Sequence, residues 1–254
     1  MQEIILKNNQ SSHFTLISYP DGQHSIKLSL NKLNVKEPVS IKCRIRNFGE
    51  LEVLFCLVSA LRKNDFYVCS ITFVYLFGMR SDRSFEIGEP NYFRDVLSPV
   101  INLLNTHLYV LAPHNIDQLH HIDAIPCYES VSMEGIRIGG DASVKRWFST
   151  VHNYFNKERK EKIVVNLAWD FDERDKTNYK QVTVIDDLCD GGATFIAEGE
   201  YLKQRFPDKK LKLFVYHGLF TQGVHGLLSY YDEIICTNSY QDIDHPQVTQ
   251  IKVI

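Results

Sequence analysis

With 254 residues, 44% hydrophobic and 23% charged, the chain has the make-up of a water-soluble globular protein of one large or two ordinary domains. Its net charge of −3 excludes the broad basic field that nucleic acid needs, so no nucleic-acid partner is expected and a bound phosphate must meet local positive charge. The longest apolar run, residues 51–61, is about half a membrane span and contains Glu52, so no membrane segment is expected either.

The first ten residues, MQEIILKNNQ, lack the basic-then-apolar layout of a secretory signal. HFTLISY (13–19) and HSIKLSL (24–30) flank Pro20, Asp21 and Gly22 and predict a hairpin. VSIKCRI (39–45) predicts a third strand. GELEVLFCLVSALRKN (49–64) places apolar residues at helical spacing and ends on Arg62 and Lys63. YVCSITFVYL (67–76) and THLYVLAP (106–113) read as buried strands, separated by a predicted helix over 91–106 with Pro99 as its kink.

The pattern then repeats. MEGIRIGG (133–140) predicts a strand running into a loop, and 144–159 an amphipathic helix. KIVVNLAW (162–169), VTVI (182–185), LKLFVYHG (211–218) and EIICTNS (233–239, the last strand expected) are strands, with helices over 194–206 and 224–230 between them. Alternating strands and helices predict parallel sheets covered on both faces. Two such cycles predict two α/β domains, divided between residues 130 and 131. Six cysteines, Cys43, Cys56, Cys69, Cys127, Cys189 and Cys236, form no CxxC pair. They read as reduced core thiols in a cytoplasmic protein.

Ligands of doubly wound sheets sit beyond the carboxyl ends of the strands, so the loops there carry the candidate chemistry. After VTVI come Asp186, Asp187 and Asp190, then Gly191, Gly192, Ala193 and Thr194 at a helix start. Open amides at that helix end suit a phosphate, and paired carboxylates suit the vicinal diol of a ribose. The loop Gly139, Gly140, Asp141 offers a carboxylate for Mg²⁺, with Lys145 and Arg146 as phosphate-type cations. Arg80 and Arg83 flank Ser81 and Asp82 after a buried strand and could clamp a polyphosphate. His114 follows another.

Taken in order, these segments resemble the ribose-phosphate diphosphokinases, which make phosphoribosyl pyrophosphate (PRPP synthetases). "IDDLCDGGATF" is similar to the ribose 5-phosphate loop shared with type I phosphoribosyltransferases. "YPDGQ" resembles the family's FxDGE, "RSDR" its RQDR, and "APHN" stands where the family has DLHA. "GDASVKR" resembles DAGGxKR, "YHGLF" resembles THGxF, and "CTNS" resembles a TNT strand end.

The resemblance implies two tandem phosphoribosyltransferase-like domains, residues 1–130 and 131–254, each a mainly parallel sheet flanked by helices. It implies a cytoplasmic homo-oligomer acting on small molecules, with ATP as co-substrate and Mg²⁺ as cofactor. The β,γ-diphosphate of ATP would pass to the anomeric hydroxyl of a 5-phosphorylated ribose, ribose 5-phosphate or a larger acceptor such as ADP-ribose. Asp186 and Asp187 would hold the ribose hydroxyls, and Asp190, Gly191, Gly192, Ala193 and Thr194 the 5-phosphate. His114 and Asp141 would serve the metal and ATP, with Asp21, Gln23, Arg80, Ser81 and Asp82 along the nucleotide. Arg174 and Lys176 would be the catalytic cations, with Lys180 the alternative lysine.

The sequence departs from the family pattern at Gln23, Ala112 and Ala193, and in a shortened diphosphate loop. Asp172 stands at the catalytic lysine position. Two other readings follow from those departures and from the shared loop: a silent nucleotide-binding relative, and a phosphoribosyltransferase that consumes PRPP.

Overall fold

In the computed structural model, residues 1–81, 84, 86–115, 122–125, 135–146, 151, 153–155, 158–159, 163–164 and 179–254 are described. They fall into two units, Met1–Ile125 (with Ile254) and Pro126–Val253.

The first unit has one five-stranded sheet in the order β1 (Gln2–Leu6), β4 (Val39–Ile45), β5 (Val68–Leu76), β6 (His107–Leu111), β7 (Asp123–Ile125), parallel throughout. Between β1 and β4 lies the expected hairpin, β2 (Phe14–Ser18) and β3 (His24–Leu28). Its turn closes through Gly22 N–H to the Tyr19 carbonyl at 3.0 Å.

Helix α1 (Phe48–Lys63) begins where Asn47 Oδ1 accepts the Glu50 N–H at 3.0 Å, an N-cap in the preferred residue type. Glu50 turns back to accept from Arg46 N–H at 2.6 Å. Leu51, Leu54, Leu57, Val58 and Leu61 are buried at helical spacing and join Ile41, Cys43, Ile71 and Phe73 in one core. Each such side chain stabilises the fold by roughly 1.5–3 kcal/mol relative to exposure.

The helix expected over 91–106 is shorter and has two parts, a π-helical turn Phe93–Leu97 and α2 (Ser98–Asn102). Pro99 lies in the first turn of α2. It has no N–H to continue the α ladder, and the wider π turn absorbs its ring.

The second unit carries a six-stranded parallel sheet in the order β15 (Val248–Ile251), β14 (Glu233–Thr237), β13 (Lys210–Gly218), β12 (Gln181–Cys189), β8 (Ile136–Gly139), β9 (Asn153–Tyr154). A small antiparallel ribbon pairs β10 (Glu158–Arg159) with β11 (Ile163–Val164). Among the described residues this unit also has helices α3 (Ala193–Arg205) and α4 (His225–Leu228). Ile138, Val182, Val184, Leu213 and Val215 pack with Phe195 and Leu202 of α3.

The amphipathic helix expected over 144–159 is corrected. The described residues there form a 3₁₀ turn, Ala142–Arg146, and the strands β9 and β10. Val144, Val151 and Phe155 are buried, as the helical spacing required. Parallel pairing of Asn153 with Ile138 decides the backbone instead, in a segment rich in aromatic and β-branched residues. Strands β1, β7 and β15 are additions to the expected set, and the last follows EIICTNS.

Candidate functional site

The strand order places the site. In the second unit the chain makes β8 and β9 first and then returns to the other side of β8 for β12 to β15. The order reverses between β8 and β12, and a crevice at such a switch point is where α/β sheets bind ligands. Among the described residues the first sheet runs β1, β4, β5, β6, β7 in chain order, without a reversal.

At the switch point β8 ends at Gly139, opposite Ile185, while β12 runs on to Cys189. Asp186 and Asp187 occupy that overhang, 6% and 7% exposed. Asp186 Oδ1 accepts the Asp187 N–H at 2.9 Å. Gly140 N–H donates to the Ile185 carbonyl at 2.8 Å, which brings the Gly139–Gly140–Asp141 loop against the carboxylates. Any side chain on Gly140 would run into Asp186, so the close approach needs glycine.

Beyond Cys189 the chain turns through Asp190 and Gly191 to Gly192, whose φ of +82° sets the left-handed cap of α3. A glycine cap has no side chain to bond the first amides, and no acidic residue sits in the first turn. The positive pole of the helix dipole lies at Ala193 and Thr194, where a phosphate would be favoured. Beneath the turn, burial and the nearby Asp186, Asp190, Glu198 and Cys236 push the Cys189 thiol up, so it stays protonated and unreactive.

Asp141, expected at a metal, caps the turn that follows it. Its Oδ1 accepts from the Ser143 N–H at 2.8 Å and from the Ser143 hydroxyl. Lys145 Nζ stands 4.4 Å from the centre of the Tyr154 ring, a cation–π contact. Among the described residues no three His, Cys, Asp or Glu side chains converge on a metal position. Mg²⁺ commonly takes only one or two carboxylates and fills its shell with water and substrate phosphates. The carboxylates of this crevice fit that kind of site.

In the first unit Arg80 and Ser81 follow β5 and His114 follows β6, at the carboxyl end of the sheet. Arg80 is exposed and Ser81 half-buried in the turn after β5, where Ser81 N–H donates to the Gly78 carbonyl at 3.0 Å. Phe77 in that turn packs edge-on to Phe48 at the start of α1, ring centres 5.1 Å apart. The hairpin leans on α1, where His24 meets Glu52 at 2.9 Å. Its tip presents Asp21 and Gln23, both exposed, and Asp21 Oδ1 accepts the Gln23 N–H at 3.1 Å. His114 is half-buried after β6, behind Ala112, whose φ is +43°. Asp82, Arg174 and Lys176 lie outside the described residues.

Two contacts at the site were not expected from sequence. Thr221 bonds Asp190, and buried His217 at the end of β13 shares a 2.8 Å hydrogen bond between Nδ1 and Ser239 Oγ. The two contacts join positions 31 and 22 residues apart, and a single sequence carries no local signal for them.

Two α/β domains in tandem, the second with a carboxylate pair and glycine turn at its switch point, define the class of fold. The chain has a phosphoribosylpyrophosphate synthetase-like fold. It is similar to the crystal structure of phosphoribosylpyrophosphate synthetase from Mycobacterium smegmatis, with a TM-score of 0.73 and 12% sequence identity. The match covers 100% of this chain and 95% of that one. No family model matches the sequence, and no curated protein matches it. Among the described residues no helix is long and apolar enough to cross a membrane.

Proposed function

We propose that the protein is an ATP-dependent diphosphokinase acting on the anomeric hydroxyl of a 5-phosphorylated ribose. The acceptor would be ribose 5-phosphate or a larger 5-phosphoribosyl compound such as ADP-ribose. One observation carries the reading: at the switch point of the second sheet, buried Asp186 and Asp187 end a strand that turns through Gly191 and Gly192 into the start of α3. Carboxylates accept hydrogen bonds from a diol, and helix-end amides donate to a phosphoryl group. A ribose phosphate carries both partners on one small molecule.

In this reaction the anomeric oxygen attacks the β-phosphorus of ATP. The bond from that phosphorus to the α–β bridging oxygen breaks, AMP leaves, and the hydroxyl proton is released. Such transfer depends on positioning and charge neutralisation more than on a protein nucleophile. Mg²⁺ would neutralise the diphosphate; Asp141 in the second unit and His114 in the first are the residues that would serve the metal and ATP. Arg174 and Lys176 would add positive charge at the transferring group. Arg80, Ser81, Asp82, Asp21 and Gln23 would line the nucleotide.

Incubation with ATP, Mg²⁺ and each acceptor, followed by chromatography for AMP, tests the reading. AMP formation that depends on acceptor supports it; no AMP with any acceptor removes it. A second reading, nucleotide binding without turnover, is favoured by the local engagement of Asp141 with Ser143 and of Lys145 with Tyr154. Calorimetric binding of ATP with no AMP formed would select that reading.

A further inference from the structure

We infer that the cleft beside β1 in the first unit is a binding site for a phosphate group, free or esterified. The inference does not rest on the reaction proposed above, and the site shares no residue with the glycine turn of the second unit. The cleft has a volume of about 680 Å³, and Glu3, Ile5, Lys7, Ser11, Ser12 and His13 line it. A space of that size admits a small organic ligand.

The chain builds the cleft by starting a hairpin and not continuing it. After β1 it reverses at Asn8 and Asn9, with φ of +53° and +59°, left-handed values that asparagine tolerates. Lys7 N–H donates to the Gln10 carbonyl at 3.0 Å, and Gln10 N–H to the Lys7 carbonyl at 2.9 Å. That bridge is isolated. Ser11, Ser12 and His13 are anchored instead to the segment after β3. The His13 carbonyl accepts the Ser29 N–H at 2.8 Å, and Lys32 Nζ donates to the Ser12 carbonyl at 2.7 Å. The cleft lies between β1, paired to β4, and this anchored segment.

Its charge favours an anion. Lys7 lines the cleft, and Lys32 stands against the Ser12 wall. Glu3, the one acid among the lining residues, is 3.6 Å from Lys42, which β4 places in register with Ile5. Arg44, also on β4, has Nη1 3.5 Å from Asn8 Oδ1. Among these described residues the cations outnumber the carboxylate, in a chain whose net charge is −3. Such a local field draws an anion that the whole molecule would repel.

The donors suit phosphate oxygens. The Ser11 and Ser12 hydroxyls lie 3.4 and 3.3 Å from His13 Nδ1, long contacts that a charged acceptor would replace with stronger ones. Burial first, and then the charge of Lys32, hold the His13 imidazole below its ordinary value. An anion beside the ring would favour its protonated form and reverse that shift. Exposed Ile5 offers an apolar surface to the organic part of an ester.

The test uses the full chain with labelled histidines and follows the His13 ring signals by NMR, assigned through His13→Gln. Inorganic phosphate and glycerol 3-phosphate are the probes, and sodium chloride at equal ionic strength is the control. Phosphate is expected to shift the His13 signals saturably and to raise the His13 pKa; sodium chloride is expected to do neither. Lys7→Gln and Lys32→Gln should each weaken binding about 3- to 10-fold. Asp187→Ala should leave this binding intact, which separates it from a ligand held at the glycine turn. An ester that binds no tighter than phosphate would mean that the cleft takes the phosphoryl group alone; a tighter ester would mean that Ile5 receives the organic part. Either result supports the site. No saturable shift, a shift matched by sodium chloride, a shift lost in Asp187→Ala, or affinity unaltered in both lysine variants would overturn it.

Discussion

Gly140 rests directly on Asp186: its N–H is bonded to the Ile185 carbonyl at 2.8 Å, and the space a methyl group would need is filled by Asp186 Oδ2. The contact joins the two loops on either side of the switch point into one wall. Gly140→Ala must therefore move the carboxylate or strain the loop. Overpacking of this kind costs about 1–3 kcal/mol. The expected outcome is a lower urea midpoint together with acceptor affinity reduced about 10-fold, since a displaced Asp186 would lose the hydrogen bond proposed for it with the sugar. A variant with normal stability and normal acceptor titration would show that the wall is not part of the site.

The carboxylates themselves give a sharper division. Asp187→Ala removes hydrogen bonds from a charged acceptor, each contributing about 1.5–3 kcal/mol. Acceptor binding should weaken about 10- to 100-fold while ATP binding stays within about 2-fold, measured by separate calorimetric titrations. Equal effects on both ligands would mean that Asp187 supports the fold of the crevice instead of touching the sugar. Unchanged acceptor affinity would remove the ribose assignment.

Much of this wall was legible in the sequence, because the acids, the glycine turn and the helix start are contiguous and each has a local cause. Residues 182–206 carry a strand run, a turn and a helical period without a break. The central strands β5, β12 and β13 were legible for a related reason: largely buried, they contain nearly continuous apolar runs, while β4 (VSIKCRI) shows apolar and polar residues in alternation. Edge strands lack that signal. In β1 only Ile4 and Leu6 are buried, and in β15 only Val248. Residues 144–159 misled for a different reason. Val144, Val151 and Phe155 are spaced as a helix requires, yet the open edge of β8 offers Asn153 and Tyr154 ladder bonds. The hydrogen bond of Thr221 to Asp190 was invisible because it joins positions 31 residues apart.

Ala112 is a second place where the backbone departs from what side chains favour. It is fully buried, its φ is +43°, and its N–H donates to the Ile125 carbonyl at 2.9 Å. A left-handed L-residue costs about 1–2 kcal/mol. Ala112→Gly relieves that strain and loses a methyl contact and some chain entropy, so its stability should lie within about 1 kcal/mol of wild type. Ala112→Val adds branching at the same angle and should destabilise by about 2–4 kcal/mol. Chemical denaturation of both variants checks the pair. A valine variant as stable as the glycine one would show that the corner before His114 relaxes freely.

The alkaline limb of stability follows from the buried thiols of the second sheet. Burial raises Cys236 from an ordinary 9.0 to about 11, partly offset by the Gln250 amide, whose Nε2 lies 3.8 Å from the sulfur. Cys189, and Cys43 in the first sheet, shift the same way, as does the buried Tyr231 hydroxyl, all chiefly through burial. A group whose pKa is higher in the fold than in the open chain holds its proton more tightly when folded. Its contribution is complete below the unfolded value and is lost as pH rises through the folded one. For Cys236 that window runs from about pH 9 to about pH 11. The loss across it is about 2–3 kcal/mol. Cys236→Ala should start less stable at pH 8, because a buried sulfur is gone, and then fall less steeply above pH 9. Urea midpoints of wild type and variant at pH 8, 9.5 and 10.5 measure the difference. Parallel curves would show that the thiol ionises as readily in the folded sheet as in the unfolded chain.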